Sequence, residues 1–151
     1  MINSEEGVAC TGNIVIDSII NFKLQEATRQ EIAVTTNFNI PKKMKIASFD
    51  ITVILGNLLD NALNAVTKLA NNRYIDIEME YKQGRFILNI ENSFNGVIIK
   101  KDGAMISSHC DKENHGLGLE SVKTVVEKYN GTMEFKYDEN KFSTMLFMDI
   151  E

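Results

Sequence analysis

The chain has 151 residues, 44% of them apolar and 25% charged, which suits one globular domain with a core large enough to fold unaided. Its net charge of −5 excludes a generally basic surface, so we expect no nucleic acid partner, and any phosphate must bind through local backbone geometry. No apolar run is long enough to span a bilayer, and the widely separated Cys10 and Cys110 favour reduced thiols of a soluble cytoplasmic protein.

The first predicted elements are a helix and a strand. Residues 13–27 carry isoleucine and leucine at helical spacing, and Asn13 stands where an N-cap is expected. Residues 31–40 alternate apolar and polar side chains and end at Pro41, the only proline, as a half-buried strand does. We expect the domain to span residues 13–151, with residues 1–12 a linker remnant or an added leading segment.

A second helix and a hairpin are predicted next. Asp50 can cap a helix whose apolar run continues to Leu69. Residues 74–81 and 85–91 alternate again on either side of Gln83-Gly84, which predicts a hairpin.

The remaining segment predicts a lid, a helix and two strands. From residue 92 to 115 no steady period is present, so we expect a mobile loop or lid. A helix over residues 117–129 ends at Asn130-Gly131, a left-handed C-cap, and strands follow at 132–137 and 142–150. The predicted fold is an α+β two-layer sandwich, a mixed, mostly antiparallel sheet covered on one face by three helices.

A polar stripe on the second helix is the first candidate site. Asn57, Asp60, Asn61 and Asn64 fall at i, i+3, i+4 and i+7 in an otherwise apolar helix. Amide oxygens are neutral, hard ligands that suit Mg²⁺ held largely by phosphates and water, which makes Asn61 the candidate metal ligand. Asn57 could position water or a phosphate oxygen, and Asp60 could orient a reacting group. The alternative is a solvated helix face that happens to be rich in asparagine.

Two glycines near the start of the last helix are the second candidate site. Gly116 and Gly118 let the backbone approach a polyphosphate closely, and exposed N–H groups at a helix start favour its charge. The alternative is a loop-to-helix junction that needs flexible residues. His109, Cys110, Asp111, Glu113 and His115 offer zinc-ligating groups, but they lack the spacing of a zinc site.

Together these motifs resemble those of the GHKL, or Bergerat-fold, ATPases, and among them the ATP-binding domain of quorum-sensing-type sensor histidine kinases. The N box of that family is similar to Asn57-Leu58-Leu59-Asp60-Asn61-Ala62, and its second glycine box to His115-Gly116-Leu117-Gly118-Leu119. The resemblance implies that ATP and Mg²⁺ are the cofactors, that Asn61 binds the metal, and that residues 115–119 bind nucleotide. It also implies that Asn57 stands where hydrolysing members carry a glutamate that activates water.

The chain departs from the family pattern at several positions. Where relatives carry Asp-x-Gly-x-Gly, this chain reads Asn92-Ser93-Phe94-Asn95-Gly96, so the resemblance implies adenine contact by Asn92 and leaves Gly96 as the one retained glycine. Asn64 stands where many relatives carry a basic residue. His109 stands near the position at which the lid of the resembling subgroup tends to carry a lysine. His115 could supply some of the missing positive charge, or it could be an exposed loop residue.

The function that this resemblance implies is transfer of the γ-phosphoryl group of Mg-ATP to a histidine on dimerisation helices outside this chain, in two-component signalling. The implied partners are those phosphoacceptor helices and, downstream, a response regulator. We expect the fragment to be monomeric, without direct membrane insertion, and part of a membrane-anchored receptor. Two alternatives are a nucleotide-gated interaction module without transfer activity and a stand-alone anti-sigma-type Ser/Thr kinase, which the amide at Asn57 disfavours because a hydroxyl nucleophile needs a base.

Overall fold

The computed structural model describes residues 2–3, 9–96, 99–101, 104–106 and 112–150, with side chains described at 9–96 and 118–150. Three helices are present in these parts: α1 (Ile14–Arg29), α2 (Ser48–Thr67) and α3 (Lys112–Lys128). The strands are β1 (Ile2–Asn3), β2 (Ala33–Asn39), β3 (Tyr74–Lys82), β4 (Arg85–Ser93), β5 (Ile99–Lys101), β6 (Ala104–Ile106), β7 (Thr132–Tyr137) and β8 (Lys141–Asp149). None of the helices in the described parts combines the length and apolar character that crossing a bilayer requires.

One open sheet carries the fold, with strand order β1-β2-β3-β4-β8-β7. Strands β2 and β3 are parallel, because α2 connects them, whereas the other neighbouring pairs are antiparallel. Strands β5 and β6 form a separate two-stranded hairpin. The predicted α+β sandwich with three helices and a mixed, mostly antiparallel sheet is confirmed.

The core lies between the helices and one face of the sheet. Alternate residues of the central strands point toward the helices and are buried, while their neighbours face the other side, as a period of two requires. Helix α2 is the most deeply buried helix and packs against both α1 and α3. The largest side chains that are almost fully buried are Phe86, Ile16, Ile20, Ile51, Ile54, Leu55, Leu59, Met79, Leu88, Ile90, Leu146 and Met148.

The start of α1 is held by side chains on both sides of the cap. The predicted N-cap is confirmed, because the Asn13 side chain accepts a hydrogen bond from the Ile16 N–H at 3.1 Å. Asp17, in the first turn, accepts from the N–H groups of Thr11 and Gly12 at 2.9 and 3.0 Å. Residues 11 and 12, which we expected to belong to a linker, are therefore hydrogen-bonded to the helix.

Two turns form as their residues predict. Gln83 and Gly84 both have positive φ, 53° and 80°, which matches a tight hairpin between β3 and β4. Asn130 has φ 53° after α3, so the left-handed C-cap is confirmed.

Three local predictions were wrong. Asp50 does not cap α2, since the helix begins at Ser48 after Ala47 and Asp50 is buried in the first turn. Helix α3 begins at Lys112 rather than at residue 117, because a helix tolerates a glycine at about 1 kcal/mol. Strand β4 runs on to Ser93, and β5 and β6 place a hairpin inside the segment predicted as an irregular lid. Residues 97–98, 102–103 and 107–111 of that segment, with His109 and Cys110, lie outside the described part.

Candidate functional site

The polar stripe of α2 lies at the boundary between the core and solvent. Asn57, Asn61 and Asn64 are half-buried, and Asp60 is exposed. The stripe has this position because the rest of the helix is held in the core by buried apolar residues, Ile51, Ile54, Leu55, Leu58, Leu59, Ala62, Leu63 and Val66. The amides are thus fixed in a rigid helix, at a surface that a ligand can reach.

The structure brings the stripe into contact with the second glycine. The Asn57 side-chain NH₂ donates to the Val53 carbonyl at 2.8 Å, which fixes the direction of the amide. Gly118 of α3 lies against that amide: a Cβ added to Gly118 would stand 2.7 Å from the Asn57 Oδ1 and 3.3 Å from its Cγ. A glycine at 118 therefore leaves the space that the Asn57 amide occupies in this orientation.

The glycines themselves lie inside α3, contrary to the expected helix start. Gly116 is the fifth residue of the helix and Gly118 the seventh, beyond the first four N–H groups that lack a partner within a helix. The expected exposed phosphate seat at these N–H groups is therefore absent from the described arrangement. Leu119 packs half-buried against the core, while the side chains of His115 and Leu117 lie outside the described part.

Asp60 has a partner that sequence reasoning missed. Its carboxylate forms an ion pair with the Lys23 ammonium of α1, with side-chain exposures of 51% for Asp60 and 18% for Lys23. The two residues are separated by 37 positions, so no local pattern could have joined them. The pair links α1 to the polar stripe of α2.

Asn92 lies at the end of β4, on the core side of the sheet. It is only 4% exposed, and its side-chain NH₂ donates to the Ser93 carbonyl at 2.8 Å. In register it stands between Ile75 of β3 and Phe142 of β8. Gly96, four residues on, has φ 83° and faces the β7–β8 turn, where an added Cβ would stand 3.4 Å from the Glu139 carbonyl oxygen.

An aromatic cluster adjoins Asn92. The Phe142 ring lies 5.5 Å from Phe94, 5.7 Å from Phe135 and 5.9 Å from Tyr137, measured between ring centroids. The Tyr137 ring stacks on Phe142 and is 48% exposed. The alternation of apolar and polar residues along these strands predicts which residues face the core. Only the pairing of β4 with β8 places Phe142 beside Asn92.

The donor set of α2 suits a cation held mainly by a bound nucleotide. In the described parts of the chain, no group of three or more His, Cys, Asp or Glu side chains could hold a metal ion. Asn61 can contribute one neutral oxygen ligand, which fits Mg²⁺ because this ion keeps several waters and takes phosphate oxygens. Asn61 as the metal ligand stays a prediction.

The comparison with protein families decides the assignment. The family model described as the GHKL domain matches residues 46–149, which include α2, β4 and α3. The chain belongs to the GHKL family. GHKL domains in general bind ATP.

Solved structures that are similar in fold to this chain include histidine kinases. The catalytic domain of histidine kinase ThkA, in a nucleotide-free form, matches with a TM-score of 0.70 and 19% identity, over 99% of this chain and 97% of that one. Histidine kinase AdeS from Acinetobacter baumannii matches with a TM-score of 0.68 and 17% identity over 91% of this chain, and the chain covers 64% of the AdeS chain. A comparison with curated proteins finds no match.

Proposed function

We propose that this chain is the ATP-binding catalytic domain of a sensor histidine kinase. In this proposal the γ-phosphoryl group of Mg-ATP passes to a histidine on dimerisation helices outside the chain, and then to a response regulator. The observation that carries the proposal is the contact between Asn57 and Gly118, because it joins the N box to the second glycine box. The similarity in fold to histidine kinase catalytic domains is consistent with it.

Several of the predicted site residues have a role in the proposal. Asn61 holds Mg²⁺, which supplies charge neutralisation on the phosphates. Asn92 accepts a hydrogen bond from the adenine amino group, and the apolar rings around Phe142 flank the base. Gly96 allows the chain to turn beside the base, and Asn64 and His115 contact phosphate oxygens.

The side-chain amide of Asn57 favours phosphoryl transfer to histidine over hydrolysis of ATP. Its NH₂ group is bonded to the Val53 carbonyl, and an amide does not take a proton near neutral pH. Water and hydroxyl nucleophiles need such a base, whereas a neutral imidazole already carries an unprotonated nitrogen. Catalysis then consists mainly of holding the γ-phosphoryl group in line with the acceptor. The same argument disfavours a Ser/Thr kinase.

The glycine box requires a change in α3. The N–H groups of Gly116 and Gly118 are free to bind a phosphate only if both lie among the first four residues of the helix, so we propose that residues 112–114 unwind when nucleotide binds. Hydrogen exchange at the Gly116 and Gly118 amides, measured with and without Mg-ATP, tests this step. Exchange rates that do not change in saturating nucleotide would contradict it.

The experiment that tests the function is phosphotransfer. The chain is mixed with γ-labelled Mg-ATP and the dimerisation helices of its kinase, and the helices are assayed for acid-labile, base-stable label. The proposal predicts that the wild type transfers label to the helices. It predicts at least tenfold less label with Asn61→Ala, which corresponds to a loss of about 1.4 kcal/mol or more of Mg-ATP binding free energy. Nucleotide binding without any label would favour the interaction module, which Asn92 and Asn64 already suggest as the second candidate.

A further inference from the structure

A buried carboxylate joins α2 to α3 at the end away from the glycine contact. Asp50 is 5% exposed, and its Oδ2 accepts hydrogen bonds from the Lys128 ammonium at 2.8 Å and from the Tyr129 hydroxyl at 2.6 Å. The same hydroxyl oxygen accepts from the Ala47 N–H at 3.1 Å, just before α2 begins. The Tyr129 carbonyl accepts from the Asp149 N–H at 2.9 Å, so the cluster is also tied to the end of β8.

The charges of this cluster are fixed at neutral pH. The hydrogen bonds from Lys128 and then Tyr129 lower the pKa of Asp50, even though its burial acts in the opposite direction. The bond to Asp50 raises the pKa of Lys128, and burial, followed by the bond to Asp50, raises the pKa of Tyr129. Asp50 is therefore ionised, with a protonated ammonium and a protonated phenol as its donors. Hydrogen bonds to a charged acceptor are the stronger kind.

The cluster and the glycine contact together define how α2 and α3 lie along one another. The first contact joins Asp50 to Tyr129 and the second joins Asn57 to Gly118, so the two helices run antiparallel. The two contacts are separated by seven residues on α2 and eleven on α3, or about 10 Å and 16 Å along the helix axes. Asp50 thus acts at a distance from the polar stripe.

The hydrogen-bonded contact restricts the position of α3 along α2. Val122 and Val126 of α3 belong to the buried apolar core, and apolar contacts are less directional than hydrogen bonds. A slide of one turn, about 5.4 Å, would separate the Asp50 carboxylate from both of its donors. The slide would also move Gly118 away from Asn57. In the present arrangement the Asn57 amide fills the space that a Cβ on residue 118 would take.

We infer that Asp50 and Tyr129 are positioning residues of the nucleotide site: their hydrogen bond sets the position of α3 along α2 in which Gly118 meets Asn57. This inference rests on the proposed nucleotide site. It assigns to Asp50 a role that its place in the first turn of α2 does not suggest.

The test uses Tyr129→Phe, which keeps the ring in the core and removes the hydroxyl, with Asp50→Asn as the second variant. Nucleotide affinity is measured by calorimetry at a temperature where each variant is fully folded. Ile32→Val is the matched control, because it removes a methylene from a buried residue next to β2 and lowers stability by about 0.5–1.5 kcal/mol without touching the interface of α2 and α3. A second readout is the ¹H–¹⁵N spectrum, followed at the Gly118 amide and the Asn57 side-chain NH₂.

The inference predicts that Tyr129→Phe weakens Mg-ATP binding by about fivefold or more and shifts both signals. It predicts that Ile32→Val leaves the affinity within about twofold of wild type and leaves the signals in place. If Tyr129→Phe binds nucleotide as the wild type does and moves neither signal, the inference is overturned. If the wild type itself binds no Mg-ATP, the proposed function fails, and the Gly118 and Asn57 signals alone decide whether the cluster positions the helices.

Discussion

Replacement of Gly118 by alanine tests the contact between α2 and α3 separately from the stability of α3. The new Cβ would stand 2.7 Å from the Asn57 Oδ1 and 3.3 Å from its Cγ, closer than such atoms pack. The Asn57 side chain must then rotate, because it is the flexible partner, and its hydrogen bond to the Val53 carbonyl at 2.8 Å is lost. The change therefore acts on Asn57 rather than on the core.

The opposing free energies of this substitution partly cancel. Alanine inside a helix is favoured over glycine by about 1 kcal/mol. The lost hydrogen bond of Asn57 costs about 0.5–1.5 kcal/mol, and a distorted side-chain rotamer costs a similar amount. We expect the free energy of unfolding to fall by no more than about 2 kcal/mol. Nucleotide affinity should fall about tenfold or more, because Asn57 no longer faces the phosphates.

Gly56→Ala is the control within the partner helix. A Cβ at Gly56 meets nothing within 4 Å, so this variant should gain about 0.5–1 kcal/mol of stability and keep its nucleotide affinity. Urea denaturation and calorimetry with Mg-ATP measure the two quantities for both variants. An unchanged affinity in Gly118→Ala would refute the reasoning, since it would mean that the Asn57 amide does not serve the site.

Three further predictions test the local structure. Asn13→Ala should lower the free energy of unfolding by about 1 kcal/mol in urea denaturation, because the N-cap bond is lost, and no change would remove the capping role. The hydrogen bonds from Lys128 and then Tyr129 lower the pKa of Asp50 in the folded state. The stability that the ionised Asp50 carboxylate contributes is therefore complete above about pH 4 and is lost as the pH falls below that value. The wild type should therefore be more stable than Asp50→Asn at pH 7, by a margin that shrinks in denaturation series below pH 4; a margin that grows there would contradict this assignment. Lys23→Met and Asp60→Asn should each cost less than about 1 kcal/mol, since the pair is partly exposed, and a double-mutant cycle that shows no coupling would contradict the ion pair.

Local patterns predicted the elements whose residues carry their own signals. Gly84 and Asn130 have positive φ, which glycine and asparagine adopt more readily than most residue types, so the sequence itself identifies those turns. The isoleucines of α1 and the alternation of β3 and β4 report which side faces the core. The position of the polar stripe follows from the same logic, because polar side chains on one face of an apolar helix predict that this face reaches solvent.

Contacts between distant residues could not be predicted in this way. Asp50 is a residue type that is common at helix caps. Its partner Lys128 lies 78 residues away, and only the packing of α2 against α3 brings the two together. Lys23 is joined to Asp60 in the same manner. The start of α3 differs from the prediction for another reason: glycines at 116 and 118 favour a break, although a helix can pass through them.

Titration calorimetry of Mg-ATP against the wild type and Asn61→Ala tests the central claim most directly, because Asn61 is the proposed metal ligand in the helix that contacts Gly118. The account predicts that the wild type binds ATP in a magnesium-dependent manner and that Asn61→Ala loses the magnesium dependence while its thermal unfolding stays close to that of the wild type. Equal, magnesium-dependent binding by both proteins, or no binding by the wild type at millimolar nucleotide, would contradict the account.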